Sequence, residues 1–363
     1  MDHKIRWGIL GTGNIAQSFA EGLSALPDAE VIAVGSRSIT SAHHFANRFN
    51  VPHRHASYQT LVEDPEVDVI YIATPHPLHK ENCLLCLEAG KAVLCEKPFT
   101  LNAAEALEVI TAARTHRLFL MEAMWTRFLP AMAKVRELLA AGTIGELRMI
   151  TADFGFRAPF DPSHRLFAPE LGGGALLDVG IYPLSLTSML LGAPSSIVSM
   201  AHLGETGVDE QSAVILGYPE GQLALLYAAT RTQTPIEATL MGTEGSIKIH
   251  TPMYKPTQIT LSVTRESMPA TLPLPIALKS LGKSLGLADF WRRYVAQKRT
   301  TLNLPFTGNG YNYEAAEVMQ CLRDGKIESE IMPLDETLAI MKTMDAIRAQ
   351  WGLRYTTEGK ASL

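Results

Sequence analysis

The chain has 363 residues, of which 47% are hydrophobic and 19% charged, with a formal net charge of -5. This length exceeds what one ordinary hydrophobic core supports, so two domains are expected. The mild acidity and the lack of a long basic block argue against a nucleic-acid partner. No apolar run approaches the roughly 18 residues of a membrane helix. We therefore expect a globular protein that binds a small molecule.

The cellular compartment is predicted from the start of the chain and from its cysteines. A buried strand is already under way at Ile5, which leaves no room for a secretory leader and favours a cytoplasmic location. The four cysteines suit a reducing compartment. Cys83 and Cys86 form a C-x-x-C pair inside the apolar helical pattern LHKENCLLCLEAG, so we interpret them as core residues rather than as a redox or metal pair.

Residues 4 to 120 alternate short apolar runs with helical patterns, beginning with KIRWGIL, NIAQSFAEGLSAL and EVIAVGS. Such alternation is typical of parallel strands joined by crossover helices. Within it, Asn102 and Glu105 form a helix-capping pair. The sequence therefore predicts an α/β fold whose first part, residues 1–123, is a doubly wound Rossmann domain.

The second part, residues 124–363, is predicted to be an α+β domain with a large, mostly antiparallel sheet. From about Glu146 the runs IVSMAHL, SAVILGY, QLALLYAAT, IEATLM, SIKIH and QITLSV are separated by short turns. Residues 264 to 310 look irregular, and the basic segment 275–299 within them is interpreted as a solvated insertion, with a substrate lid or a surface-binding helix as alternatives.

One strand of this sheet predicts an assembly. Leu223 to Ala229 is apolar at nearly every position, so both of its faces should be covered. Helices cover one face. We expect another subunit on the other face, in a homodimer or larger homo-oligomer, while a loop of the same chain is the alternative.

A nucleotide-binding turn follows the first strand. GTGNIA has the pattern G-x-G-x-x-A at Gly11, Gly13 and Ala16 and leads into a helix. The first glycine permits the tight turn, the second lets a pyrophosphate approach the backbone, and the helix N-terminus favours the negative charge. The position of the motif after the first strand of a βαβ series favours dinucleotide binding over a purely structural turn.

The end of the second strand bears on the choice of dinucleotide. An NAD site usually has Asp or Glu here to bind the ribose 2′-hydroxyl, but the sequence VIAVGSRS has Ser36 and Arg37 instead. These side chains suit a 2′-phosphate. We therefore expect NADP(H), with NAD(H) as the alternative.

The motif CEKPF ends a later strand and places Glu96, Lys97 and Pro98 beside the crevice in which such sheets bind ligands. Together with GTGNIA and ATPHPLHKENCLLCLEAGKAVLCEKPF, it resembles the Gfo/Idh/MocA oxidoreductase family. The runs MEAMWTRFLP, GGGALLDVGIYPLSL, ETGVDE and GNGYNYEAAEV are similar to the branch that contains dimeric dihydrodiol and NADP-dependent D-xylose dehydrogenases. The resemblance covers nearly the whole chain.

The resemblance implies a role for each motif. It places Lys97 between substrate and nicotinamide, and it places the loop from Thr74 to His79 along the nicotinamide half of the cofactor. No carboxylate or cysteine is grouped with the two histidines of that loop, so no metal is expected. The cofactor site is thus expected to comprise Gly11, Thr12, Gly13, Asn14, Ile15, Ser36, Arg37, Thr74, Pro75, His76, His79, Glu96 and Lys97.

A second catalytic element is expected at Asp178 and Tyr182, which are four residues apart and share one face of a helix. Much of the family has His where this chain has Tyr182, which puts an inositol-type substrate in doubt. Alcohol oxidation needs a base, and a free phenol with a pKa of about 10 is a poor one. We expect the Lys97 cation to lower that pKa, so that Tyr182 serves as general acid and base. Asp178 or His79 is the alternative proton carrier.

Several side chains are expected around the substrate. The resemblance places Trp125 and Arg127 at the crevice, where an indole face suits a sugar ring or a cyclic diol. Phe154 is assigned to the substrate site, although buried packing explains it and Phe156 equally well. Substrate and surface roles stay open for Arg157 and Arg165.

These predictions describe hydride transfer between NADP(H) and a hydroxyl or carbonyl carbon of an aldose, a cyclic polyol or a trans-dihydrodiol. A regulator of the same fold that senses NAD(P) without chemistry is the main alternative, although such a protein needs neither Lys97 nor Tyr182. The second alternative is an oxidoreductase of the glucose-fructose type, which never releases its cofactor.

Overall fold

The first sheet of the computed structural model, which describes residues 4–264 and 297–355, has six parallel strands in the order β3-β2-β1-β4-β5-β6. The strands are β1 (Ile5–Leu10), β2 (Ala29–Gly35), β3 (His53–His55), β4 (Val69–Ile72), β5 (Ala92–Glu96) and β6 (Leu120–Ala123). The connecting helices are α1 (Asn14–Leu23), α2 (Ile39–Phe49), α3 (Tyr58–Val62), α4 (His79–Glu88) and α5 (Ala103–His116). This is the doubly wound domain that the alternating pattern predicts.

The centre of this sheet is closed to solvent. Every residue of β4 and β5 is buried, as expected of parallel strands covered on both faces. The ring of Phe19 on α1 stacks on Tyr71 of β4 at a centroid distance of 3.7 Å and meets Trp7 of β1 edge-on at 5.2 Å. These contacts fix α1 against the sheet, so its N-terminus lies at the carboxyl edge of β1. Cys83 and Cys86 are buried free thiols in α4, as predicted.

The second sheet has eight strands in the order β14-β13-β12-β11-β7-β10-β9-β8. Only the β7 and β10 pair is parallel among these neighbours, so the prediction of a mostly antiparallel sheet is confirmed. The strands are β7 (Leu147–Gly155), β8 (Ser196–Leu203), β9 (Asp209–Gly217), β10 (Leu223–Ala229), β11 (Ala238–Gly242), β12 (Gly245–Ile249), β13 (Gln258–Thr264) and β14 (Gln297–Asn303).

The prediction that residues 264 to 310 are irregular is wrong for β14. This strand pairs with β13 along its whole length, and the hydroxyls of Thr260 and Thr301 lie 2.9 Å apart across the pair. Its sequence QKRTTLN lacks apolar alternation because an edge strand needs charge and polarity on its open side. Positions 275–296 of the basic segment 275–299 lie outside the described residues.

The later part of the chain has four helices, α6 (Pro130–Ala140), α7 (Ile181–Leu191), α8 (Tyr311–Arg323) and α9 (Leu334–Trp351). Of these, α7 packs against β7 and β10, and α9 packs against α7 and β8, whereas α8 packs against α1. One helical stretch of the described chain, Pro169–Leu191, is long and apolar enough to cross a membrane by length and composition, but 78% of its most apolar window is buried inside the protein. We interpret it as the core helix of the second domain.

The outer face of β10 is exposed among the described residues of this chain. Its inward residues Ala224 and Leu226 are 0% and 4% exposed, whereas Leu225 and Tyr227 on the opposite face are 37% and 41% exposed. The strand is therefore apolar on both faces but covered on one within this chain. On β8, which lies beyond β9 in the sheet, Met200 is 79% exposed and extends the apolar surface.

The end of the described chain returns to the first domain. The Asp345 carboxylate on α9 accepts a hydrogen bond from the Ala103 amide at 2.8 Å, and the Arg348 guanidinium donates to the Leu101 carbonyl at 3.1 Å. The predicted domain boundary at residue 123 coincides with the last residue of the first sheet. The division itself stays a prediction, because α9 packs against both parts.

Candidate active site

One cleft of about 740 Å³ runs from the glycine turn after β1 to the first turn of α7. This volume lies within the roughly 300–1,000 Å³ range of small-molecule and cofactor sites. The cleft is lined by Gly11, Thr12, Gly13, Asn14, Ile15, Ser18, Ser36, Arg37, Ser38, Ser41, Tyr58, Ala73, Thr74, Pro75, His76, Glu96, Lys97, Arg165, Leu171, Asp178, Tyr182 and Tyr311. It therefore joins the predicted cofactor residues, except His79, to both predicted catalytic elements.

The glycine turn has the geometry that a dinucleotide needs. Gly11 has a φ of 108°, and a Cβ there would lie 2.9 Å from the Ala73 carbonyl oxygen, so only glycine fits. A Cβ at Gly13 would meet no atom within 4 Å, which leaves the backbone before α1 open to a ligand. No side chain caps this helix, so its first amides remain available for a pyrophosphate. These features fit the cofactor that the motif implies.

Ser36 and Arg37 lie where β2 ends, and both line the cleft. Ser36 is 8% exposed, its amide donates to the His55 carbonyl at 3.2 Å, and its Oγ accepts the Ser38 amide at 3.3 Å. Arg37 is exposed. No carboxylate lines this end of the cleft, so the local charge favours an anion.

The loop after β4 contains two histidines in different roles. His76 lines the cleft, and burial lowers its pKa to about 3, so its imidazole is neutral. His79 is fully buried, and its ring nitrogens lie 2.8 Å from the Thr74 carbonyl oxygen and 2.9 Å from that of Pro98. The expectation that His79 contacts the cofactor is therefore corrected, because its side chain is buried against these two carbonyls and does not line the cleft.

Lys97 lies at the centre of the cleft. Its Nζ donates to the Asp178 carbonyl oxygen at 2.8 Å, lies 3.9 Å from the Asp178 carboxylate, and is 4.8 Å from the centre of the Tyr182 ring. Burial disfavours the ammonium, but Tyr182, Asp178 and Glu96 together raise the pKa of Lys97 above its ordinary value. Lys97 is therefore a fixed cation at neutral pH.

The electrostatics of Tyr182 differ from the sequence prediction. Burial raises the pKa of its phenol, and this effect outweighs the lowering by the Lys97 cation and by the hydrogen bond from Trp125. The phenol is consequently neutral in the protein alone. The Lys97 cation lowers the pKa of the phenol, as expected, but this effect is smaller than the increase caused by burial.

Asp178 lies in a π-helical turn, Leu176–Gly180, directly before α7. Burial raises the pKa of its carboxyl, but Lys97 and Arg165 together hold it below its ordinary value. Arg165 donates to the Asp178 Oδ1 at 2.6 Å. Asp178 is therefore an anion that fixes Lys97. Single π-helical turns are frequent at functional sites.

The structure corrects the expected roles of Trp125 and Arg127. The Trp125 indole is 4% exposed, stacks on Tyr311 at 4.6 Å, and donates from Nε1 to the Tyr182 hydroxyl at 3.2 Å. Arg127 is 2% exposed and donates to Ser185 and to the Glu336 carboxylate. Neither lines the cleft. Trp125 supports the phenol from behind, and Arg127 holds elements of the second domain together.

Phe154 also lies behind the cleft wall. It is 9% exposed, stacks on Tyr254 at 4.5 Å, and contacts the Tyr182 ring at 5.4 Å. Phe156 packs against it at 6.3 Å. The buried-packing interpretation of these two residues therefore describes them better than direct contact with a ligand.

Sequence reasoning missed several residues of the cleft. Ser38 caps α2 by accepting the Ser41 amide, so a helix-cap pattern was available at that position. Tyr311 belongs to the motif GNGYNY, but nothing in its local sequence places it more than 200 residues away beside Glu96. The cleft residues outside the predicted set are Ser18, Ser38, Ser41, Tyr58, Ala73, Leu171 and Tyr311. Arg165, for which the sequence left substrate and surface roles open, also lines the cleft.

A Rossmann sheet with an open glycine turn, and a phenol beside a lysine farther along the same cleft, define an NAD(P)-dependent oxidoreductase. A family model described as "Oxidoreductase family, NAD-binding Rossmann fold" matches residues 5–124, and a model of the "GFO/IDH/MocA C-terminal domain" matches residues 132–248. The chain therefore belongs to the Gfo/Idh/MocA oxidoreductase family, as the sequence motifs indicated.

Curated relatives extend along almost the whole chain. Trans-1,2-dihydrobenzene-1,2-diol dehydrogenase of Mus musculus is 39% identical over 357 residues, which cover 97% of this chain and 98% of the relative. The protein of the same name from Homo sapiens is 37% identical over 355 residues, with 97% and 98% covered. Both similarities are high enough to establish the family.

Solved structures show the same fold. A 3-ketoreductase from Actinomadura kijaniata, crystallised with NADP and TDP-benzene, has a TM-score of 0.78 and 25% identity and covers 96% of this chain and 98% of its own. An aldose-aldose oxidoreductase from Caulobacter crescentus has a TM-score of 0.79 at 21% identity, with 97% and 99% covered. At 21% identity, the similarity to the aldose-aldose oxidoreductase establishes only a shared fold.

Proposed function

We propose that the protein transfers a hydride between NADP(H) and a hydroxyl or carbonyl carbon of a small substrate, with Tyr182 as general acid and base. One observation carries the proposal. The Lys97 ammonium lies 4.8 Å from the Tyr182 ring, and both line the cleft that begins at the glycine turn. The bound nicotinamide would supply or accept the hydride, and this chain would handle the accompanying proton.

The proton chemistry depends on the direction of reaction. In reduction, the neutral Tyr182 phenol donates its proton to the carbonyl oxygen. In oxidation, the phenolate accepts the hydroxyl proton, and two groups stabilise that anion: the Lys97 cation and the Trp125 indole N–H. Asp178 keeps Lys97 in place through its carbonyl oxygen and its carboxylate.

The preference for NADP over NAD rests on the end of β2. Ser36 and Arg37 line the cleft there without a carboxylate that would accept a ribose 2′-hydroxyl. A guanidinium pairs well with a phosphate, and its charge-assisted hydrogen bonds are the stronger kind. This local chemistry supports a 2′-phosphate as the ligand group.

The substrate class that we propose is an aldose, a cyclic polyol or a trans-dihydrodiol. The curated relatives are named as dehydrogenases of a trans-dihydrodiol, and the A. kijaniata neighbour as a ketoreductase. Besides the phenol, the cleft lining includes apolar Leu171, aromatic Tyr311 and the Arg165 guanidinium. A ring with an apolar face and hydroxyl groups at its edge matches this mixture.

We also propose a homodimer, or a larger homo-oligomer, formed through the outer face of the second sheet. This face bears a continuous apolar surface in the single chain. Its exposed members are Met149, Val198, Met200, Ile215, Leu223, Leu225 and Tyr227. An apolar surface of this kind is typical of a protein interface. The four free thiols support a reducing compartment such as the cytoplasm.

A substrate screen tests the proposed function. Aldoses, inositols and trans-dihydrodiols are supplied with NADP⁺, and the reduced cofactor is followed by its absorbance. We expect turnover with at least one of these classes and a preference for NADP⁺ over NAD⁺. Tight NADP binding without turnover in either direction, using hydroxyl or carbonyl substrates, would favour a sensing protein instead.

A further inference from the structure

A second group of ligand-type side chains lies at the edge of the first sheet, outside the cleft. His53 Nδ1 is 2.6 Å and His55 Nε2 is 3.0 Å from the same oxygen, Oδ2, of Asp64. Within residues 4–264 and 297–355, no other three His, Cys, Asp or Glu side chains converge in this way, with all ligand atoms within 4.8 Å of one another. The oxidoreductase chemistry uses none of these three residues.

The local fold presents the three side chains to one point. His53 and His55 are alternate residues of β3, so they project from the same face of the strand. Asp64 follows α3 and is 7% exposed. The Glu66 amide donates to Asp64 Oδ1 at 3.0 Å, and Lys91 Nζ donates to the Asp64 carbonyl oxygen at 2.6 Å. These bonds orient the other carboxylate oxygen, Oδ2, toward both imidazoles.

We propose that His53, His55 and Asp64 bind a divalent transition-metal cation of the zinc class. Two imidazole nitrogens and one carboxylate oxygen form a common ligand set for Zn²⁺. Ligand distances of about 2.0–2.1 Å separate tetrahedral ligand atoms by about 3.3 Å. The present separations from the shared oxygen, 2.6 and 3.0 Å, are hydrogen-bond distances about 0.3–0.7 Å shorter than this value, so both imidazoles would move away from Oδ2 to admit the cation. The His53 side chain is 33% exposed and leaves room for a water as fourth ligand.

The cation would join β3 to the turn that follows α3. β3 is a three-residue edge strand, and His55 offers its carbonyl oxygen to the Ser36 amide at 3.2 Å. Ser36 lies at the phosphate end of the cleft. A bound cation therefore stabilises the strand that supports this end of the nucleotide site, and it raises the melting temperature because it binds only the folded chain.

Calorimetric titration of the full chain with ZnCl₂ tests this proposal, with Co²⁺ as a second probe read by its visible absorption. His53→Gln and His55→Gln each remove one nitrogen ligand, and Asp64→Asn removes the carboxylate. His116→Gln is the matched control, because it removes an exposed imidazole at the end of α5. We expect one Zn²⁺ per wild-type and control chain. Each ligand variant should bind at least about 10–100-fold more weakly, the loss typical of disturbed metal sites.

Melting curves give the second readout. Zn²⁺ should raise the melting temperature of the wild type and of His116→Gln, but not of His53→Gln. If Asp64→Asn fails to fold, the half-exposed His53 variant decides the question. Unchanged Zn²⁺ affinity in both histidine variants, or no binding by the wild type at submillimolar Zn²⁺, would overturn the proposal. Both readouts are independent of enzyme activity, so failure here leaves the proposed oxidoreductase unaffected.

Discussion

Tyr182→Phe is the most direct perturbation of the proposed mechanism, because it removes a hydroxyl and keeps the ring. The contact with Phe154 at 5.4 Å and the position of Lys97 Nζ 4.8 Å from the ring centre are compatible with phenylalanine. The change leaves the Trp125 N–H without its acceptor, which costs about 1–3 kcal/mol of folding stability. We therefore expect a folded protein with unchanged affinity for NADP(H).

Turnover should respond far more strongly. The loss of a general acid-base group lowers the rate by about 10²–10⁴-fold. At about 1.36 kcal/mol per decade, this is about 2.7–5.4 kcal/mol of activation free energy. The assay follows reduced nicotinamide at saturating NADP⁺ and substrate, and a separate titration measures the dissociation constant for NADP⁺.

Tyr254→Phe is the matched control for this variant. Tyr254 belongs to the same aromatic cluster, at 5.7 Å from Tyr182 and 4.5 Å from Phe154, but it does not line the cleft. It should retain near-normal turnover. If Tyr182→Phe also turned over near the wild-type rate, in folded protein saturated with cofactor, the assignment of Tyr182 as proton carrier would be refuted.

Three further predictions address the neighbouring features. Arg37→Ala should weaken NADP binding by about 1.5–3 kcal/mol, the range for a hydrogen bond to a charged group, and should leave NAD binding unchanged in the same titration. Lys97→Met should lower turnover about as much as Tyr182→Phe, and the double variant should be little worse, because both serve one proton transfer. The pH at which the remaining oxidative activity of Lys97→Met increases should be higher than in the wild type, since loss of the cation raises the pKa of the Tyr182 phenol further. Met200→Glu, at a side chain 79% exposed, should give monomers in light scattering if the sheet face joins subunits; a wild-type monomer would contradict the interface itself.

Local patterns were sufficient for the features that depend on few neighbouring residues. The glycine turn, the E-K-P lysine and most strand positions follow from spacing and apolar periodicity, because a tight turn or a buried strand determines its own residue types. Gly11 illustrates this, since its positive φ and the nearby Ala73 carbonyl exclude any side chain.

Side-chain direction was not available from the same patterns. Arg127 follows Trp125 in a motif at the domain boundary, yet its guanidinium pairs with Glu336, which is 209 positions later in the chain. Trp125 is likewise turned so that its N–H, rather than its ring face, serves the site. Edge strand β14 was missed for another reason, because its polar composition suits an open sheet edge and resembles a loop.

The titratable groups around the phenol favour Tyr182 over the alternative proton carriers. Lys97 stays charged because its pKa is raised, and Asp178 stays ionised because Lys97 and Arg165 lower its pKa. His79 is fully buried away from the cleft, and burial lowers its pKa, so its neutral imidazole has one N–H, which donates to one of the two loop carbonyls beside it.

Two other groups near the phenol are occupied or poorly suited. Glu96 accepts hydrogen bonds from the Tyr71 hydroxyl and the Lys97 amide, and His76 has a pKa of about 3, so it stays a neutral imidazole. Tyr182 instead has a hydroxyl that accepts a single hydrogen bond, from Trp125, and it lines the cleft. In the proposed mechanism Lys97 therefore keeps its charge, and the Tyr182 phenol is the group whose charge changes during the reaction.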